Sequence, residues 1–159
     1  MSKMIGAVLI IAGGTSIAMQ KIESRRRSLQ TLQALINALR TIECAIRWKG
    51  QTLPECFCIM KKDEYCGKYF GDIHDLLESN QTLQTAWHKA FTNIEKDVRD
   101  IILQMDWDGD ERHISGNLQY ISEGLIRLYS DRRTRKRNED KLLLAAIGSC
   151  TVLLVIILL

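Results

Sequence analysis

Proline occurs once in 159 residues, at Pro54, and no stretch shows the two-residue alternation of a half-buried strand. A chain so poor in breakers and in strand patterning supports only an all-α fold. Glycine-rich phosphate loops, paired carboxylates in a catalytic setting and nucleophile elbows are also missing. His74, His88 and His113 stand apart on charged helical stretches or a loop edge, a pattern of solvated histidines. The expectation is a protein that is not an enzyme, with no cofactor and no small-molecule substrate.

Five cysteines, Cys44, Cys56, Cys58, Cys66 and Cys150, make an odd count and exclude a fully paired disulfide framework. Cys56, Cys58 and Cys66 with His74 have the donor chemistry of zinc. Their spacing lacks the paired-knuckle pattern, however, and a helix would put Cys56 and Cys58 on different faces, so reduced packing cysteines are the better reading. Asp106-Trp107-Asp108-Gly109-Asp110 opens like a calcium loop, but Glu111 stands where that loop needs glycine and Asn117 where it needs a bidentate glutamate. The segment reads as a turn with helix-capping aspartates.

Charge is absent from both ends. Residues 142–159 are 18 uncharged residues, 12 of them Leu, Ile or Val, which favour a bilayer by about 5 kcal/mol together. At 1.5 Å per residue they reach about 27 Å, close to the hydrocarbon thickness of a membrane. Residues 4–19 are also uncharged but hold Gly6, Gly13 and Gly14. A signal peptide competes there, with Lys3 ahead of residues 5–12 and Ser16-Ile17-Ala18 as a cleavage site. Against cleavage stand Arg25, Arg26 and Arg27, a cluster that holds the following chain in the cytoplasm.

The cations gather beside these ends. Arg25, Arg26 and Arg27 follow the first apolar run, and Arg132, Arg133, Arg135, Lys136 and Arg137 precede the second, whereas residues 28–130 carry 11 basic and 15 acidic side chains. The collar suits anionic lipid headgroups better than nucleic acid, so membrane lipids are expected partners and nucleic acid is not. Both basic flanks agree on one topology, with the middle cytoplasmic and both termini outside. The expected architecture is a transmembrane helix over 1–19, a cytoplasmic bundle of five to six helices over 20–141, and a second transmembrane helix over 142–159.

Within the middle, Leu29, Leu32, Ile36, Leu39, Ile42 and Ile46 trace the stripe of a long helix ending near residues 48–50. Thr52-Leu53-Pro54-Glu55 is a capping box with proline in the first turn, predicting a second, short helix from 53 to between 63 and 67. A third is expected over 68–78 and one long helix or two stacked ones over 83–105. The last begins near 116, with Leu118, Ile121, Leu125 and Leu128 on one face. Exposed acids Asp72, Asp75, Asp106, Asp108 and Asp110 are the candidate partner-binding residues, with the 106–110 loop expected to lie away from any core.

In this order and layout, with residues 32–39, Glu43-x-x-Ile46, Thr52 to Glu55 and Trp87-x-x-Ala90, the chain resembles the stage III sporulation protein AB family of endospore-forming bacteria. It departs from that family where Ile114 stands four residues after Asp110 in place of a glutamine. The resemblance implies a soluble domain similar to the platform protein of type II secretion and type IV pilus machines. It further implies a scaffold in the mother-cell membrane around the forespore, partnered by a secretion-type ATPase and ring-forming membrane proteins. A generic membrane adaptor and a helical domain secreted after signal cleavage are the alternatives.

Overall fold

A computed structural model describes the backbone of residues 2–158; side chains are described for 23–24, 26–48, 50–139, 142, 146 and 149. Among the described residues six helices follow one another: α1 (Ser2–Lys49), α2 (Leu53–Met60), α3 (Gly67–Glu78), α4 (Leu83–Ala90), α5 (Lys96–Ile102) and α6 (Glu111–Leu158). No strand occurs among the described residues.

Helix α1 carries its stripe on one face, and Leu32, Leu35, Ile36, Leu39 and Ile42 are buried by it. The matching face of α6 buries Leu118, Ile121 and Leu125. The two helices run antiparallel: Ser28 meets Arg132 at one end, and Arg47 lies beside Glu111, Arg112 and Ser115 at the other. Four short helices fill the space alongside this pair. With the loops that follow α4 and α5 they contribute an aromatic stack in which Trp87 has its ring centre 4.6 Å from Phe91 and 4.9 Å from Trp107. Phe57 and Phe70 extend the stack with ring centres 6.0 Å apart.

Helix ends follow local chemistry. Gly50 leaves α1 at φ +57°, the left-handed turn that glycine adopts without a Cβ penalty. Thr52 N–H donates to Glu55 Oε2 at 3.1 Å, one half of the predicted capping box. The second helix ends at Met60, short of the expected 63–67, because Asp63 intervenes. Its Oδ1 accepts the N–H groups of Tyr65 (2.8 Å) and Cys66 (2.9 Å), closing a turn in place of another helical repeat. Burial pushes the Asp63 carboxyl up, but those two donors outweigh it and hold the group below the ordinary carboxylate range. It therefore contributes stability present above the ordinary carboxyl pKa and lost as pH falls through the depressed one. Gly67 then comes so close to the turn that a Cβ there would lie 2.5 Å from the Lys61 carbonyl oxygen.

One open alternative is decided here, and one further boundary differs from the sequence expectation. The 83–105 stretch is two helices, parted at 91–95, where Thr92 Oγ1 donates back to the His88 carbonyl and Phe91 and Ile94 both turn inward. The last helix begins at Glu111, five residues before the predicted start, since Asp110 Oδ1 accepts the His113 N–H at 2.8 Å and serves as its cap.

Among the described residues no helix is long and apolar enough to cross a membrane. The two predicted spans, 1–19 and 142–159, lie almost wholly outside the residues whose side chains are described.

Candidate functional site

The antiparallel pair brings the two basic clusters together although more than a hundred residues separate them. Arg26, Arg27, Arg133, Arg135 and Arg137 are exposed around one end of the bundle, and Lys136 is half-buried. The side chain of Arg25 lies outside the described residues. Arg132 has a different occupation from the rest of the collar. Its side chain is only 21% exposed, and it pairs with Glu95 and Asp97 at the start of α5 while donating to Ser28 Oγ of α1 at 2.9 Å. One guanidinium thus ties three helices together at the foot of the bundle, using the planar fork that suits carboxylates.

Glu95 and Asp97 are more than half exposed, so solvent screens the pairs and the clamp contributes modestly. Replacing Arg132 with Gln should lower stability by about 1–2 kcal/mol and make the loss smaller in high salt. Urea denaturation at two ionic strengths would show it; a loss independent of salt would mean that the side chain acts by packing alone.

Between Arg132 and α1 a cavity of about 320 Å³ opens, lined by Ser24, Ser28, Leu29, Arg135 and Lys136 together with Glu95 and Glu139. The opposite end of the α1/α6 pair exposes Trp48, 78% accessible, with the Arg47 guanidinium 5.7 Å from its ring centre.

The five acidic residues read as partner-binding do not form one surface element. Asp72 and Asp75 sit on exposed positions of α3, and Asp75 is paired with Lys61 at 3.2 Å. The 106–110 loop is exposed in part, but it does not lie away from the core. Trp107 is buried against Phe57 and Trp87, so the middle of the loop is an anchor. Asp106 Oδ1 accepts the Asp108 N–H at 3.0 Å and its carbonyl accepts from Asn117, while Asp110 caps α6. Asp108 is exposed, and among the described contacts its carboxylate takes no part in this turn.

Histidines do not stand alone. His88 meets Gln84 at 3.0 Å, and His113 Nε2 lies 3.6 Å from Asp106. The ligand atoms of His74, Asp75 and Glu78 fall within 4.8 Å of one another, but the Lys61 ammonium already neutralises Asp75 there. The cysteines do not join His74: Cys56 and Cys66 pack in the core and Cys58 is exposed. Burial, and then the neighbouring Asp63, push the Cys66 thiol up to about 12, leaving it protonated and unreactive at neutral pH.

A paired-helix scaffold with a basic collar at one end and a small helical head along its flank defines an all-α protein of the bundle class. The profile of the family described as stage III sporulation protein AB matches residues 3–159, and the chain belongs to that family. It is a sporulation-associated protein. A solved structure of stage III sporulation protein AB (SpoIIIAB) superposes with a TM-score of 0.64 at 14% identity, the match covering 70% of this chain and 98% of that one. At that identity the likeness speaks for the fold. No curated protein matches the chain.

Proposed function

We propose that the protein is a membrane-anchored scaffold of a sporulation-specific secretion-like complex. Its two apolar ends enter one bilayer side by side, and its helical head docks a secretion-type ATPase and ring-forming membrane proteins on the cytoplasmic side of the mother-cell membrane. The observation that supports this reading most is the antiparallel run of α1 and α6, which gathers the basic flanks of both apolar segments at one end of the molecule. Cations so grouped attract anionic headgroups at about 1 kcal/mol each when close to the surface. Family membership supports the setting in sporulation.

Topology is tested by reporter fusions. A fusion after Leu159 should report the outside and one within 28–130 the cytoplasm; a cytoplasmic C-terminus would defeat the two-span reading. Docking is tested by co-purification of the full chain with the ATPase and ring proteins. If charge steers the encounter, binding weakens with salt. Asp72→Lys with Asp108→Lys is the probe, because neither carboxylate has a structural role like those of Asp106 and Asp110. The double variant should lose partner affinity several-fold at an unchanged Tm. Undiminished binding at every salt concentration would refute charge-steered docking and leave packing, with exposed Trp48 as its first contact.

A further inference from the structure

We infer that the cavity between α1 and α6 at the collar is a binding site for a phosphodiester, the headgroup chemistry of an anionic glycerophospholipid. The inference rests on the membrane-anchored reading and assigns to one cavity what that reading leaves to the collar as a whole.

Ser24 and Ser28 stand one helical turn apart on α1 and line one wall, while Arg132, Arg135, Lys136 and Glu139 recur at steps of three, one and three on α6 and line the other. Arg133 and Arg137 fall outside that face and are exposed. Of the lining acids Glu95 is already engaged, since it pairs with the Arg132 guanidinium. Arg135 and Lys136 make no ion pair among the described residues, so they are the cations the cavity offers an incoming anion.

Arg132 is held by Glu95 and Asp97, so Arg135 and Lys136 supply the charge that draws a phosphodiester into the cavity. The hydroxyls of Ser24 and Ser28 add neutral donors for phosphate oxygens. A volume of about 320 Å³ falls at the small end of the roughly 300–1,000 Å³ of small-molecule sites.

Depth agrees with chemistry. Ser24 lies five residues beyond the first uncharged run and Lys136 six residues before the second. At the helical rise these are about 7 and 9 Å. The headgroup layer is about 5–8 Å thick on each side of the hydrocarbon. Both walls therefore stand at its outer edge, within reach of long basic side chains that extend along a helix.

The test uses the full chain purified in neutral detergent, with native mass spectrometry to count bound lipid and Tm as a second readout. Phosphatidylglycerol should be retained at one per chain and raise Tm, and phosphatidylcholine should do neither. Arg135→Gln with Lys136→Gln should weaken phosphatidylglycerol retention about tenfold, while Arg133→Gln with Arg137→Gln, which removes the same charge, should leave it within twofold. Equal loss in both variants would overturn the site in favour of diffuse attraction to the collar, as would equal retention of both lipids. Glycerophosphoglycerol without acyl chains is the remaining arm: a Tm rise equal to the lipid's would make a soluble phosphodiester the ligand and overturn the lipid assignment. Alkaline extraction of membranes carrying the wild-type chain separates the two readings. A chain released into the supernatant would defeat anchoring, whereas a retained chain that binds no phosphatidylglycerol would defeat only the cavity.

Discussion

Replacing Leu39 with Asp should unfold the helical bundle or leave it barely folded. Leu39 is fully buried on the face of α1 that meets the rest of the core. An ionised carboxylate there has no described cation among its core neighbours, which are hydrocarbon and aromatic groups. Isolated buried charge is among the few single-residue causes of losses above about 4–5 kcal/mol, and a domain of this size has about 5–15 kcal/mol in total. Leu39→Ala removes the same packing without the charge and should cost about 2–5 kcal/mol. The difference between the two variants should shrink as pH falls. Burial raises the pKa of the introduced carboxyl above its unfolded value, so its penalty is full above the raised pKa and declines as the group is protonated below it. Urea denaturation followed by circular dichroism at pH 7 and pH 4.5 would measure this, and a domain indifferent to Leu39→Asp would disprove the bundle core.

Trp87→Ala should cost about 3–5 kcal/mol in the same assay. Trp87 is completely buried, and its ring packs on Phe91 and Trp107 and near Phe70. Truncation removes the centre of the aromatic stack from under α3, α4 and the 106–110 loop together. Its indole N–H also donates to the Ile102 carbonyl at 2.9 Å, pinning the end of α5. Trp87→Phe keeps most of the apolar area and loses that bond, so it should cost about 1–3 kcal/mol. The order wild type, Trp87→Phe, Trp87→Ala is the expected result; equal losses in both variants would mean that the hydrogen bond, and not the stack, carries the residue's contribution. Loss of the stack should also weaken the anchorage of Trp107, so Trp87→Ala should expose the 106–110 loop to proteolysis before the helices of the α1/α6 pair.

Several features were legible because their causes act within one or two helical turns. The stripe from Leu32 to Ile42 is a helix face by spacing alone, and it is the face that α1 buries. Gly50 and the Thr52 to Glu55 box marked where α1 stops and α2 starts, because caps are satisfied by residues three or four positions away. The family resemblance drew on the same local motifs and on their order along the chain.

Tertiary structure alone decided the rest. The break at 91–95 contains neither proline nor glycine, and an unbroken helix would satisfy its backbone equally well; the chain turns there so that Phe91, Ile94 and Trp87 can share one core with Ile102. Trp107 sits between aspartates in a segment that looks solvated, and only the aromatic partners Phe57 and Trp87, distant in sequence, show why it is buried. Arg132 looked like one collar cation among several. Its partners Glu95 and Ser28 lie 37 and 104 residues away, and no local periodicity encodes a pairing across such separations. The amino-acid sequence by itself determined where helices form and which faces are apolar, since propensity, periodicity and capping act over a few residues. Which helices meet, which cation is drawn inward and where the collar opens into a cavity depend on packing that exists only once α1 and α6 lie antiparallel.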